Sequence, residues 1–144
     1  MSLTTVSGKV VVITGAGSGI GRALALRCAR AGALLALSDR DRDSLAETVA
    51  LAEQAGAQKV RQDVVDVSDR AAVAAWAADV VEELGRVNLV VNNAGVSATG
   101  DFTDLTYDDL DWIVGINFWG VVHGSKEFLP HLVASGDGAL VIFS

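Results

Sequence analysis

The chain has 144 residues, 51% of them hydrophobic, with 11 lysines and arginines against 18 acidic residues and a formal charge of −7. That length gives one domain with a sizeable core, and the hydrophobic share excludes a disordered chain. The acidic balance argues against a nucleic-acid backbone or an anionic membrane surface as partner, because either needs a basic face.

The single cysteine, Cys28, cannot close an internal disulfide and falls in a helical pattern. It is expected to be a small core residue in a reducing, cytoplasmic setting. The opening stretch MSLTTVSGK has neither the basic nor the apolar region of a signal peptide. No apolar run reaches the roughly 18 residues of a membrane helix, so a soluble protein is expected.

The β-branched run KVVVIT (9–14) predicts a buried strand. A helix follows, with Ile20, Leu24, Cys28 and Ala31 on one face and Gly32 as its stop. ALLALSD (33–39) predicts a second buried strand. Residues 44–55 predict a helix with Asp43 as N-cap and Gly56 as stop. AQKVRQDV (57–64) carries a third strand. Ser68 is placed as the cap of a helix that lines up Val73, Ala77, Val80 and Leu84 and ends at Gly85. VNLVVNNAG (87–95) is a fourth strand running into a turn. Thr106 and Asp109 start a long helix over 107–134, which Pro130 should bend or end. GALVIFS (138–144) is a fifth strand. Strands and helices alternate, and the strands are continuous apolar runs. The pattern predicts a doubly wound parallel sheet covered on both faces, a three-layer α/β/α fold.

Between the first strand and first helix, glycines stand at 15, 17, 19 and 21. Ligands of such sheets bind beyond the carboxyl ends of the strands. A helix N-terminus there offers free N–H groups and partial positive charge to a phosphate, and glycine lets the backbone approach it. The spacing is T-G-x-x-x-G-x-G from Thr14, not G-x-G-x-x-G, since Ile20 stands where that pattern needs glycine. Asp39 ends the second strand 18 residues after Gly21, where a dinucleotide site places a carboxylate for the adenine ribose. Asp63 and Val64 end the third strand, where an adenine edge is expected. NNAG (92–95) ends the fourth.

TGAGSGIG (14–21), Asp39, Asp63-Val64, NNAG (92–95) and Asn117 in INFWG together resemble the short-chain dehydrogenase/reductase family, over essentially the whole chain. The resemblance implies a Rossmann-type dinucleotide-binding domain over 1–144. It implies hydride transfer between a nicotinamide cofactor and a secondary alcohol or ketone. The implied cofactor site comprises Gly15, Gly17, Ser18, Gly19, Ile20, Gly21, Asp39, Arg40, Asp63, Val64, Asn93, Ala94 and Gly95. The implied catalytic set is Asn-Ser-Tyr-Lys, with Asn117 as the asparagine. The serine is the residue after Ser144, or Ser144 itself if the strand register differs by one. No Tyr-x-x-x-Lys occurs: the only tyrosine is Tyr107, and Asp111 stands four residues on. The expectation is that the chain is the first part of a complete enzyme, truncated after the fifth strand. The alternative is a catalytically inactive dinucleotide-binding module.

A carboxylate at 39 bonds a ribose diol and repels a 2′-phosphate, and Ser18, before Gly19, is neutral. Arg40 could stack on adenine or pair with a phosphate. Asp39 carries more weight, so NAD is expected over NADP. His123 and His131, with no companion cluster, give no metal site. The long helix is apolar on more than one face, at Ile113, Val114, Phe118, Val121, Val122 and Leu129. One face needs a partner beyond the sheet, and the resemblance implies a homodimer or homotetramer through it.

Overall fold

In the computed structural model, which describes residues 5–144, the first apolar run forms β1, Val10–Thr14, with every residue buried. Met1–Thr4, part of the stretch read for a targeting signal, lie outside the described residues. The other strands are β2 (Leu34–Asp39), β3 (Lys59–Val64), β4 (Leu89–Asn92) and β5 (Ala139–Ile142). All pair in parallel, in the order β3-β2-β1-β4-β5. The chain starts in the middle, winds outward to β3, then returns to add β4 and β5 on the other side. This is the doubly wound Rossmann arrangement, and its switch point lies between β1 and β4.

The helices are α1 (Gly19–Arg30), α2 (Arg42–Ala55), α3 (Arg70–Leu84), α4 (Tyr107–Val114) and α5 (Gly120–Ser135). Strand side chains alternate between the two faces of the sheet. Val11, Ile13, Leu35 and Leu37 pack with Ala25, Cys28, Leu45 and Ala52 of α1 and α2. Val12, Ala36 and Val90 pack with Val73, Trp76 and Val80 of α3 and with Phe128 and Leu132 of α5. Trp76 meets Phe128 edge-to-face, with centroids 5.3 Å apart. Such a pair adds ~1 kcal/mol beyond the area it buries. Burial also pushes the Cys28 thiol above its ordinary pKa, so this cysteine stays protonated in the core.

Several expected boundaries move. The cap of α2 is Asp41, which accepts the Ser44 N–H at 3.0 Å, and Asp43 lies inside the first turn. The cap of α3 is Asp69, which accepts the Ala72 N–H at 3.1 Å. Ser68 is turned away because its hydroxyl donates to Asp66 at 2.6 Å. Gly56 and Gly85 end α2 and α3 in the left-handed region, at φ 111° and 82°. Thr106 and Asp109 form a reciprocal capping box at the start of α4.

The long helix is not continuous. A π turn, Gly115–Trp119, separates α4 from α5. It buries Ile116 and faces Asn117 to the segment after β4. The apolar period cannot reveal one extra residue per turn, and such turns recur at functional sites. Pro130 does not end α5, which continues to Ser135. Phe128 and Leu132, buried on either side of the proline, anchor both neighbouring turns to the sheet.

Candidate functional site

A cavity of about 370 Å³ opens at the carboxyl ends of the strands, at the switch point. One wall is the turn between β1 and α1, through Gly15, Ser18, Gly19 and Ile20. Asp39 ends β2 and Arg40 follows it, Val65–Val67 follow β3, and Asn93–Val96 follow β4. Ile116 of the π turn closes the inner side.

The glycine turn is held by its neighbours. The Thr14 hydroxyl oxygen accepts the N–H groups of Asn93 and Ala94, both at 3.0 Å. The Asn93 amide in turn donates to the carbonyls of Thr14 and Gly15, at 3.1 and 3.2 Å. Gly15 has φ 65°, and a Cβ there would come within 2.9 Å of Ala94 Cα. A Cβ at Gly21 would land on the Gly15 carbonyl oxygen. Ser18 caps α1 without a side-chain bond, and no acidic residue stands in the first turn. The first N–H groups of α1 therefore keep their capacity for an anion.

Asp39 is fixed by two backbone donors. Gly17 N–H donates to Oδ2 and Asp41 N–H to Oδ1, each at 2.9 Å. A Cβ at Gly17 would stand 2.9 Å from that same Oδ2, so glycine is what lets the carboxylate in. Arg22, which the sequence reading passed over, ties the turn to α2. Its guanidinium donates to Gly17 O at 2.8 Å, Ser44 O at 3.1 Å and the Thr48 hydroxyl at 2.9 Å.

Asp63 and Val64 are a correction. Asp63 accepts two bonds from Arg61, at 2.8 and 2.9 Å, and one from the Trp76 indole at 3.1 Å. Arg61 also pairs with Glu83. Asp63 thus belongs to a charged network on the edge strand β3 and does not line the cavity. The residues that do are Asp66 and Val67. The segment DVVDV contains two Asp-Val pairs, three residues apart. The first remains in or beside the strand, and only the second clears the sheet edge. Arg61, two residues before Asp63 and therefore on the same strand face, was the available clue.

Asn117 clasps Val96, accepting its N–H and donating to its carbonyl, both at 2.8 Å. His123 has its Nδ1 2.9 Å from the carbonyl of cavity residue Val67. A carbonyl only accepts, so Nδ1 carries the hydrogen. Ile142 pairs with Asn92, so Ser144 stands two residues past the last pair; it is exposed and outside the cavity lining. Tyr107 begins α4, 86% exposed. Among the described residues, no cluster of three His, Cys, Asp or Glu side chains is set to hold a metal. No helix among them is long and apolar enough to cross a membrane.

A family model for short chain dehydrogenases matches residues 9–144. The chain belongs to that family. It is 52% identical over 142 residues to a Mycobacterium tuberculosis protein named as an oxidoreductase, SadH, covering 99% of this chain and 51% of that one. A short-chain dehydrogenase/reductase from Burkholderia phymatum, solved in complex with NAD, is 42% identical with a TM-score of 0.90. That match covers 95% of this chain and 49% of the other. An alcohol dehydrogenase from Thermococcus sibiricus, solved with 5-hydroxy-NADP, is 34% identical with a TM-score of 0.88, over 94% of this chain and 57% of that one. The chain thus spans about half the length of the first relatives it matches.

Proposed function

We propose that the protein carrying this chain is a nicotinamide-dependent oxidoreductase, with residues 1–144 as its dinucleotide-binding domain. It transfers a hydride between NAD and a secondary alcohol or ketone. The observation that carries the reading is Asp39, held by Gly17 and Asp41 at the edge of a cavity beside a glycine turn that opens a helix. The cradle suits a dinucleotide: a Cβ at Gly19 would meet nothing, so the space beside that backbone is free for a phosphate. A bound nicotinamide dinucleotide supplies the hydride acceptor or donor.

This chain's residues hold and orient it. Gly15, Ser18, Gly19 and Ile20 receive the pyrophosphate at the α1 N-terminus. Gly17 and Gly21 keep that turn tight. Asp39 accepts from the adenine ribose hydroxyls and disfavours a 2′-phosphate, which supports NAD over NADP. Asp66 and Val67 flank the adenine. Asn93, Ala94 and Gly95 run along the riboses toward the nicotinamide. Asn117 supports the proton relay by fixing Val96 and the segment that follows the cofactor edge. Val114, Phe118, Trp119 and Leu129 leave an exposed apolar stripe on α4, the π turn and α5. This supports a dimer or tetramer assembled through that surface, in a cytoplasmic protein acting on small molecules.

The test is direct. The full-length protein is titrated with NAD and NADP, then assayed with secondary alcohols by the absorbance of reduced nicotinamide. Tighter NAD binding and alcohol-dependent reduction are expected. Equal affinity for NAD and NADP removes the cofactor preference. Binding without turnover of any alcohol or ketone favours the second reading, an inactive dinucleotide-binding module. That reading draws on the absence of Tyr-x-x-x-Lys from residues 1–144.

A further inference from the structure

One contact at the cavity mouth joins a wall residue to a helix outside the lining. The Arg40 guanidinium carbon lies 5.2 Å from the ring centroid of Trp112. Arg40 directly follows β2 and lines the cavity, whereas Trp112 sits on α4, 72 residues later. Asp39, Asp41 and Asp66 are all close in the chain or the cavity lining, yet Arg40 makes no ion pair among the described residues. Asp39 has both oxygens engaged by the backbone, and Asp41 caps α2. The guanidinium faces the Trp112 ring, and an aromatic face attracts such a cation.

Resting on the reading that Asp39 receives a nucleotide ribose, the geometry points to Trp112 as a specificity-determining residue that acts through Arg40. Trp112 holds the guanidinium on its ring and so weakens its pairing with a 2′-phosphate by the worth of that contact. An arginine beside the ribose site is ordinarily the group that accepts such a phosphate, by bidentate pairing. Here the acid at 39 repels the phosphate, and the ring competes for the cation that would offset that repulsion. Selectivity for NAD is then a property of three residues, Asp39, Arg40 and Trp112, and not of the carboxylate alone.

The experiment is a calorimetric titration of the full-length protein with NAD and with NADP, which needs no turnover. It is made on the parent, Trp112→Leu, Trp112→Phe, Arg40→Gln and the Arg40→Gln/Trp112→Leu double variant. Releasing Arg40 by Trp112→Leu is expected to tighten NADP binding by roughly two- to fivefold, the worth of an exposed cation–π contact. NAD binding should change by less than about twofold, well under that contact's worth. Trp112→Phe keeps a ring and should stay near the parent. In the double variant the gain from Trp112→Leu should vanish. An unchanged NAD-to-NADP ratio in Trp112→Leu overturns the inference while leaving the functional reading intact. So does a gain that survives Arg40→Gln. Where the leucine variant folds poorly, Trp112→Gln, a polar change at a 39% exposed position, makes the same test. A parent that binds neither dinucleotide sinks both readings.

Discussion

The two sides of the cavity are built differently. On the β1–β2 side, a Cβ at Gly15, Gly17 or Gly21 would come within 3 Å of a neighbouring atom, and Asp39 and Arg22 each bond two main-chain groups. On the β3–β4–α4 side, single side chains reach across open surface: Asn117 to Val96, His123 to Val67, Arg40 to Trp112. The first side is dense, and changing it disturbs the fold. The second is a set of separate clasps, so changes there should alter binding or turnover with little loss of stability.

Gly21→Ala tests the dense side most severely. The new methyl has nowhere to go, because the Gly15 carbonyl oxygen already occupies its position. Overpacking of this kind costs ~1–3 kcal/mol, and the displaced turn should lose dinucleotide binding by about a hundredfold or more, since misplacement of ~1 Å has that scale of effect. Urea melts and NAD titration of the full-length variant check it. Parent-like stability and affinity would mean that the turn is softer than its contacts imply. Asp39→Asn is the next largest. The amide keeps an oxygen for Gly17 N–H, so the fold should hold. Loss of hydrogen bonds to a charged acceptor, at ~1.5–3 kcal/mol, should weaken NAD binding by roughly ten- to a hundredfold. A parent-like NAD affinity would remove Asp39 from the ribose site.

The same contrast decides how much could be read from sequence. The dense side is local: the glycines, Thr14 and Asp39 fall within one β-α-β unit, where spacing along the chain is close to spacing in space. Its fingerprint was therefore legible, down to a carboxylate at the end of β2. The clasps join residues 21, 56 and 72 positions apart, and no local pattern announces such pairs. Two errors follow from this. Asp63 was taken for the adenine edge because its bond to the Trp76 indole is invisible along the chain. The helix over 107–134 was read as unbroken because its apolar period survives the π turn that aims Asn117 at Val96. The caps show the same limit on a smaller scale: Asp41 and Asp43 both suit an N-cap, and only Asp41's bond to Asp39's oxygen reveals the path of the chain.

Asn117→Ala tests the clasped side. It removes both bonds to Val96, on an exposed surface where water can replace them, so the stability loss should be ~1 kcal/mol. Faster hydrogen exchange at the Val96 amide should report the opening locally. Turnover should fall by about tenfold or more if the clasp supports proton transfer, since such positioned groups are worth ~10²–10⁴-fold in full, while NAD affinity holds. A loss of stability as large as that of Gly21→Ala would erase the distinction between the two sides.

The smallest effect expected is acid sensitivity, and it separates the sides by their helix caps. Asp41 caps α2 on the dense side, and its carboxyl is held below the usual range chiefly by the Ser44 N–H. Asp109, in the α4 capping box on the clasped side, is lowered chiefly by the Thr106 N–H. A carboxylate whose pKa is lowered by folding contributes stability that is complete above its unfolded value, about 4, and is lost as pH falls through the lower folded value. The melting temperature should therefore be insensitive to these caps from neutral pH down to about 5, and decline below about 4. Asp41→Asn keeps a capping oxygen without a titrating proton, so it should melt like the parent at neutral pH and fall less steeply in acid. Hydrogen exchange in acid should show α4 opening before α2, because α4 has no buried residue to anchor it whereas α2 buries Leu45, Thr48 and Ala52. The reverse order would place the weak point on the dense side, and would mean that its packed glycines do not extend their rigidity to the helix that Arg22 ties to them.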